Sequence, residues 1–130
     1  MNLNCKDLCK KYNDKIVVDS ISISLKARKV IGLLGPNGAG KTTTFYMLVG
    51  LIKCNSGEIT VDDKDITELP MHLRSDLGIS YLPQEASIFR NLNVKDNIMA
   101  ILETRKNLSY QQRVSKLDSL ISTLQIENIL

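Results

Sequence analysis

Apolar side chains at Ile21, Ile23 and Leu25 alternate with Ser22 and Ser24, the period of two expected of a strand with one buried face. With "LNCKDLCKKY" (residues 3–12) before it, the stretch "IVVDSISISL" predicts an antiparallel pair joined around "NDK". "VIGLLG", residues 30–35, is apolar without alternation. That suits a strand covered on both faces. From Lys41 the pattern turns helical, and "TFYMLVGLI" is apolar on nearly every side, which predicts a buried helix. "SGEITVDDKDI" carries turn signals around a short strand, "ELPMHLRSDL" reads as a short helix, and "GISYLPQ" reads as a strand ending at Pro83. Asn93 with Asp96 predicts a helix cap, followed by Val94, Ile98 and Ile101 or Leu102 on one face. Ser109 and Gln112 form a capping-box pair ahead of Val114, Leu117, Ile121 and Leu124 at helical spacing. Residues from about 85 onward therefore read as a helical unit distinct from the strand-rich first part.

Composition narrows the function classes. At 130 residues the chain has the size of one domain. The net charge is +3, and lysines and arginines are interleaved with acids; a solvated surface explains this better than nucleic-acid binding. Three cysteines with no Cys-x-x-Cys spacing and one histidine indicate neither a disulfide framework nor a zinc site. No apolar stretch approaches the ~20 residues needed to span a bilayer. The expectation is a cytosolic chain that meets a membrane only through partners.

The strongest chemical signal is Gly35-Pro36-Asn37-Gly38-Ala39-Gly40-Lys41-Thr42, a complete phosphate-loop pattern after an apolar run and at the start of a helix. Its glycines let the backbone wrap closely and aim N–H groups inward, and the helix start adds the positive end of its dipole. Lys41 is placed to reach β- and γ-phosphates, and the Thr42 hydroxyl to coordinate Mg²⁺. Thr43, next along, is placed to donate on the α-phosphate side. These positions leave ATPases, GTPases and small-molecule kinases open. No Asn-Lys-x-Asp guanine motif is present, which weakens the GTPase reading.

Across all 130 residues the chain resembles the ATP-binding subunits of ABC transporters. "GLLGPNGAGKTT" is the usual form of their Walker A, and Gln84 in "YLPQ" falls on their Q-loop. Tyr12 falls where they carry an aromatic that stacks on adenine. The resemblance implies ATP and Mg²⁺ as cofactors, with Gln84 contacting the metal and the attacking water. A neutral amide suits that role because it both donates and accepts. For Tyr12 a second reading stays open, simple packing at a strand end. Lys10, Lys11 and Lys15 read as solvated rather than as phosphate ligands.

"YLPQEASIFR" is similar, more narrowly, to the subunits that serve bacterial lipopolysaccharide export. That likeness implies a partner, the transmembrane subunits of the transporter, received beside Phe89 and Arg90. Alternatively Ile88 and Phe89 seed the core of the helical unit while Arg90 is solvated. His72 precedes the Q-loop, so it is not the family's switch histidine, and reads as a solvent-facing helix residue.

The resemblance also implies parts that the 130 residues do not contain. There is no "LSGGQ"-type signature and no apolar run ending in Asp-Glu; "ITVDD" (59–63) reads as a hairpin turn. The expectation is an α/β phosphate-loop NTPase core of the ABC ATPase type, truncated. Residues 1–84 would hold the antiparallel β subdomain and the nucleotide-binding core, and 85–130 the start of a helical subdomain. The full-length form would be a homodimer on the cytoplasmic face of the inner membrane. This chain alone would bind ATP without turnover.

Overall fold

The computed structural model describes residues 1–85 and 87–129. Ala86, within the "YLPQEASIFR" stretch, and Leu130 lie outside the described residues. The chain divides into two compact units, Met1–Leu82 and Pro83–Leu130.

The first unit is a four-stranded antiparallel sheet with two helices. Strand β1 (Leu3–Tyr12) pairs with β2 (Lys15–Leu25) across the Asn13-Asp14 turn and, on its other side, with β3 (Ser56–Val61). Helix α1 (Lys41–Val49) follows β2 in sequence, and β3 pairs with β4 (Lys64–Asp65), giving the order β2-β1-β3-β4. The β3–β4 turn is Asp62-Asp63, both with positive φ (45° and 65°), the geometry that two-residue hairpins favour. "ITVDD" is therefore a hairpin. Helix α2 (Met71–Asp76) completes the unit.

The ladder is irregular between Cys5 and Lys10, and Asp7 there has φ 49°. The bulge packs against Gly57, where a Cβ would meet the Asp7 carbonyl oxygen at 2.5 Å, so only glycine fits opposite it. Leu8, Val18, Met47, Ile59 and Ile66 form the centre of the core and are almost fully buried.

Two segments depart from expectation. Residues 30–35 and 78–84 form no strand; Val30 is 99%, Leu34 92% and Leu82 93% exposed. A strand is defined by its neighbours as much as by its own residues, and no segment among the described residues pairs with either. Helix α1 is also less enclosed than its composition predicts. Thr44, Met47, Leu48 and Val49 are buried, whereas Phe45 and Leu51 are about half exposed.

The second unit is a helical hairpin. Asn93 caps α3 (Val94–Glu103) by accepting from the Asp96 N–H at 2.8 Å. Ser109 and Gln112 form the reciprocal capping box of α4 (Tyr110–Leu124), with Ser109 N–H to Gln112 Oε1 at 2.8 Å and Gln112 N–H to Ser109 Oγ at 3.3 Å. Leu102, Leu117 and Ile121 make the buried seam, while Ile101 and Leu124 point outward. No helix among the described residues is long and apolar enough to cross a membrane.

Candidate functional site

The phosphate-loop residues sit where their spacing requires. Ala39 N–H donates to the Pro36 carbonyl at 3.2 Å, and Gly38 has φ 82°. A tight turn with positive φ at its third residue selects glycine there. Gly40 is the N-cap of α1, also at φ 82°. A Cβ at Gly40 would stand 2.3 Å from the Val17 carbonyl oxygen and 3.1 Å from Val18 Cγ2. The loop is thus pressed directly onto β2, and the glycine is what lets it approach.

That contact fixes the start of α1. Its cap has no side-chain acceptor, and among the described residues the N–H groups of Lys41, Thr42 and Thr43 meet no protein acceptor. These are the orphan donors of a helix start, and with the helix dipole they favour an anion. Thr44 anchors the turn from below: its buried Oγ1 donates to the Gly40 carbonyl at 3.0 Å, alongside the Thr44 N–H at 2.9 Å. Thr42, by contrast, is exposed. Lys41 folds back over the loop, its Nζ donating to the carbonyls of Gly35 at 2.6 Å and Pro36 at 2.7 Å.

Tyr12 ends β1 with 47% of its surface exposed. Lys10, which its sequence context places in solvent, is instead engaged. Its ammonium lies 5.2 Å from the centroid of the Tyr12 ring and donates to the Lys53 carbonyl at 2.6 Å. The contact with Tyr12 arises because residues 10 and 12 share a face of β1. Lys53 in turn is bonded to Glu68 at 2.6 Å, which holds its ammonium pKa above the usual value.

Behind the loop, Tyr46 of α1 meets Tyr81 edge-on at 5.9 Å. The partial burial of Tyr81, with the Tyr46 hydroxyl as neighbour, pushes its phenol pKa up. Gln84 belongs to the second unit, exposed at a bend after Pro83. Ile88 and Phe89 are 61% and 58% exposed and stand outside the Leu102–Leu117–Ile121 seam, which disfavours their reading as core. Arg90 is exposed, as is His72 on α2. No group of three or more His, Cys, Asp or Glu side chains capable of holding a metal ion occurs among the described residues.

Two residues central to this framework carry no sequence signal. The first, Arg74, is 2% exposed. Its guanidinium donates to four backbone carbonyls: Nη1 to Met47 and Leu48 at 2.7 and 2.8 Å, Nε to Leu69 at 2.7 Å and Nη2 to Thr67 at 2.8 Å. It therefore closes the C-terminal end of the same helix whose start forms the phosphate loop. Gly50 makes room for it, since a Cβ there would meet Arg74 Nε at 2.8 Å. The second is Asn97, whose amide serves the backbone of the second unit in a comparable way.

Residues 18–130 match the family model described as ABC transporter. The chain is 53% identical to the lipopolysaccharide export system ATP-binding protein LptB of Haemophilus influenzae, over 98% of this chain and 53% of that protein. It is 50% identical to the protein of the same name from Escherichia coli, again over 98% of this chain and 53% of the relative. The chain thus spans about half the length of the curated relatives it matches. Among solved structures, an ATP-binding cassette of an ABC transporter superposes with a TM-score of 0.82 at 22% identity, over 98% of this chain and 55% of that one. An ATP-binding subunit of an ABC transporter gives 0.78 at 23% identity, over 100% and 53%. Those likenesses establish the fold as α/β, of the phosphate-loop ABC ATPase type with an antiparallel β part. With that fold, and with the family model spanning the phosphate loop and both helices of the second unit, the chain belongs to the ABC transporter family.

Proposed function

We propose that the chain is the nucleotide-binding part of an ABC transporter ATP-binding subunit serving lipopolysaccharide export. The observation that carries the reading is the start of α1, where Gly40 packs on β2 and, among the described residues, the N–H groups of Lys41, Thr42 and Thr43 meet no protein acceptor. A triphosphate would accept from those amides and from Lys41 Nζ, which would exchange the Gly35 and Pro36 carbonyls for phosphate oxygens. Tyr12, half exposed beside Lys10, offers a ring face to adenine. The exposed Thr42 hydroxyl, adjacent to the orphan amides, suits a hard oxygen-seeking ion. Thr42 is the residue of the first unit that would hold Mg²⁺ with the nucleotide, and a role for Gln84 of the second unit is what the resemblance implies. Bound there, the ion would neutralise charge on the phosphate oxygens.

The export assignment rests on the identity of 53% and 50% to the two LptB relatives. The partners would be the transmembrane subunits of the transporter, received by the exposed Phe89 and Arg90 segment, and the setting the cytoplasmic face of the inner membrane. In the longer form two ATP-binding subunits would pair. The 130 residues contain neither an apolar run ending in Asp-Glu nor a signature motif, so this chain by itself binds nucleotide without turnover in this reading. Hydrolysis would need a positioned base and charge stabilisation that these 130 residues do not supply.

A fluorescent ATP analogue titrated against the purified chain tests the binding step. Lys41→Ala is expected to weaken binding at least tenfold, which corresponds to about 1.4 kcal/mol, in line with the loss of one charge-assisted hydrogen bond. Equal affinity for the wild type and the variant, or a tenfold preference for GTP, would overturn the reading. Measurable phosphate release from the chain alone would overturn its non-hydrolysing part.

A further inference from the structure

Asn97, in the first turn of α3, has the most heavily used side chain of the second unit. Its Oδ1 accepts from the Phe89 N–H at 2.8 Å. Its Nδ2 donates to the carbonyls of Phe89 at 3.1 Å, Leu92 at 3.0 Å and Asn93 at 2.9 Å. The amide's two N–H groups, one of them shared between two carbonyls, and its oxygen thus pin both ends of the five-residue segment 89–93. Only an uncharged amide supplies donors and an acceptor together at this reach. Among the described residues, the other backbone bonds of segment 89–93 are Leu92 N–H to the Phe89 carbonyl at 3.0 Å and the Asn97 N–H to the Asn93 carbonyl at 3.0 Å. The segment would be free to rearrange if the amide were removed.

The segment so held forms one wall of an apolar groove. A cavity of about 310 Å³ is lined by Ile88, Phe89, Asn97, Ile98, Ile101 and Leu120, among others. Ile88, Phe89 and Ile101 are each more than half exposed. Arg90, next to Phe89 in sequence, is exposed and makes no ion pair among the described residues. An apolar trough beside an unpaired cation suits an amphipathic helix that carries an acidic residue at its edge.

We propose that Asn97 is a positioning residue for partner docking: it fixes Phe89 and Arg90 in the conformation that a helix of the transmembrane subunits reads. The proposal rests on the assignment of those subunits as partners and adds a residue whose amide is engaged by the segment rather than offered to them. Its side chain is spent on the segment backbone, and its effect on docking passes through that segment.

The test uses the whole chain and the transmembrane subunits of a lipopolysaccharide exporter in lipid nanodiscs, with affinity read by biolayer interferometry. Asn97→Asp keeps the shape and the acceptor but loses both N–H donors. Ser109→Ala serves as control, since it removes the α4 capping box and destabilises the same unit without touching segment 89–93. Hydrogen exchange is followed in parallel at Phe89 and Leu92, and ATP-analogue binding reports the first unit.

Asn97→Asp is expected to weaken docking at least tenfold and to speed exchange at Phe89 and Leu92. Ser109→Ala should change docking less than threefold, and nucleotide binding should be unchanged in both. Equal docking by wild type and Asn97→Asp would overturn the role of Asn97 and leave the partner assignment standing. Equal losses in Asn97→Asp and Ser109→Ala would reduce Asn97 to general stability and overturn the proposal. If wild-type chain does not bind the nanodiscs at all, the partner assignment falls, and the proposal with it.

Discussion

Arg74→Met is expected to lower the melting temperature of the first unit by more than about 10 °C, although methionine is apolar and close in length. The guanidinium serves four carbonyls, and methionine serves none. Water does not easily replace it at a position that is 2% exposed. The Met47 carbonyl keeps the Gly50 N–H at 3.2 Å, while the other three lose their side-chain donor, and each buried carbonyl left without a donor costs about 1–3 kcal/mol. Even with partial relaxation the total is expected at about 3–5 kcal/mol, out of about 5–15 kcal/mol for a domain. At about 4–8 °C per kcal/mol for a unit of this size, the shift is easily read by circular dichroism. Arg74→Lys should recover less than half of the loss, because one ammonium cannot span four carbonyls set around a planar fork. A melting temperature within about 2 °C of wild type for Arg74→Met would show that the four bonds contribute little.

Gly40→Ala is the second large expected effect, and comparison with Gly38→Ala separates its causes. Both glycines have φ 82°, so both variants carry the strain of a left-handed alanine, about 1–2 kcal/mol. At Gly38 a Cβ meets nothing within 4 Å, whereas at Gly40 it meets the Val17 carbonyl at 2.3 Å. The second contact is impossible without moving the start of α1 away from β2. Gly40→Ala is therefore expected to cost at least ~2 kcal/mol more than Gly38→Ala in urea denaturation. It should also weaken ATP-analogue binding by tenfold or more, because the orphan amides of Lys41, Thr42 and Thr43 move with the helix. Equal stability of the two variants would mean that the loop does not depend on its contact with β2.

The contrast between these residues explains what the sequence made legible. The β1–β2 hairpin, the Asp62-Asp63 turn and the caps at Asn93 and Ser109 are local devices, whose residues lie within a few positions of one another. Pattern and spacing are enough to read them. The phosphate loop is likewise contiguous, and its place at the start of α1 follows from one run of eight residues. Residues 30–35 and 78–84 have the composition of strands and no partner among the described residues, and composition does not report pairing.

Helix α2 misleads in a different way. Its apolar residues Met71 and Leu73 are over a third exposed while Arg74 is buried, the inverse of an amphipathic pattern. The reason lies 26 and 27 residues away in sequence, at the carbonyls that end α1. Asn97 escapes notice similarly, since an asparagine four positions after a capping asparagine reads as surface. Tyr12 and Lys10 sit between these cases: their shared face on β1 follows from the period of two, but the bond from Lys10 to Lys53 crosses 43 residues.

The stretch Val30–Gly35, unpaired among the described residues, bears on self-association. Six residues without charge or proline, with Val30 and Leu34 almost fully exposed, have the character of a segment that stacks with its own copies. The charges that restrain such stacking stand immediately before it, at Lys26, Arg28 and Lys29, and Pro36 breaks the run immediately after it. Flanks of this kind oppose stacking: the cations would repel a second copy at one end, and the proline offers no N–H at the other. Added salt, which screens those cations, is therefore expected to raise light scattering by the chain before it alters the fold.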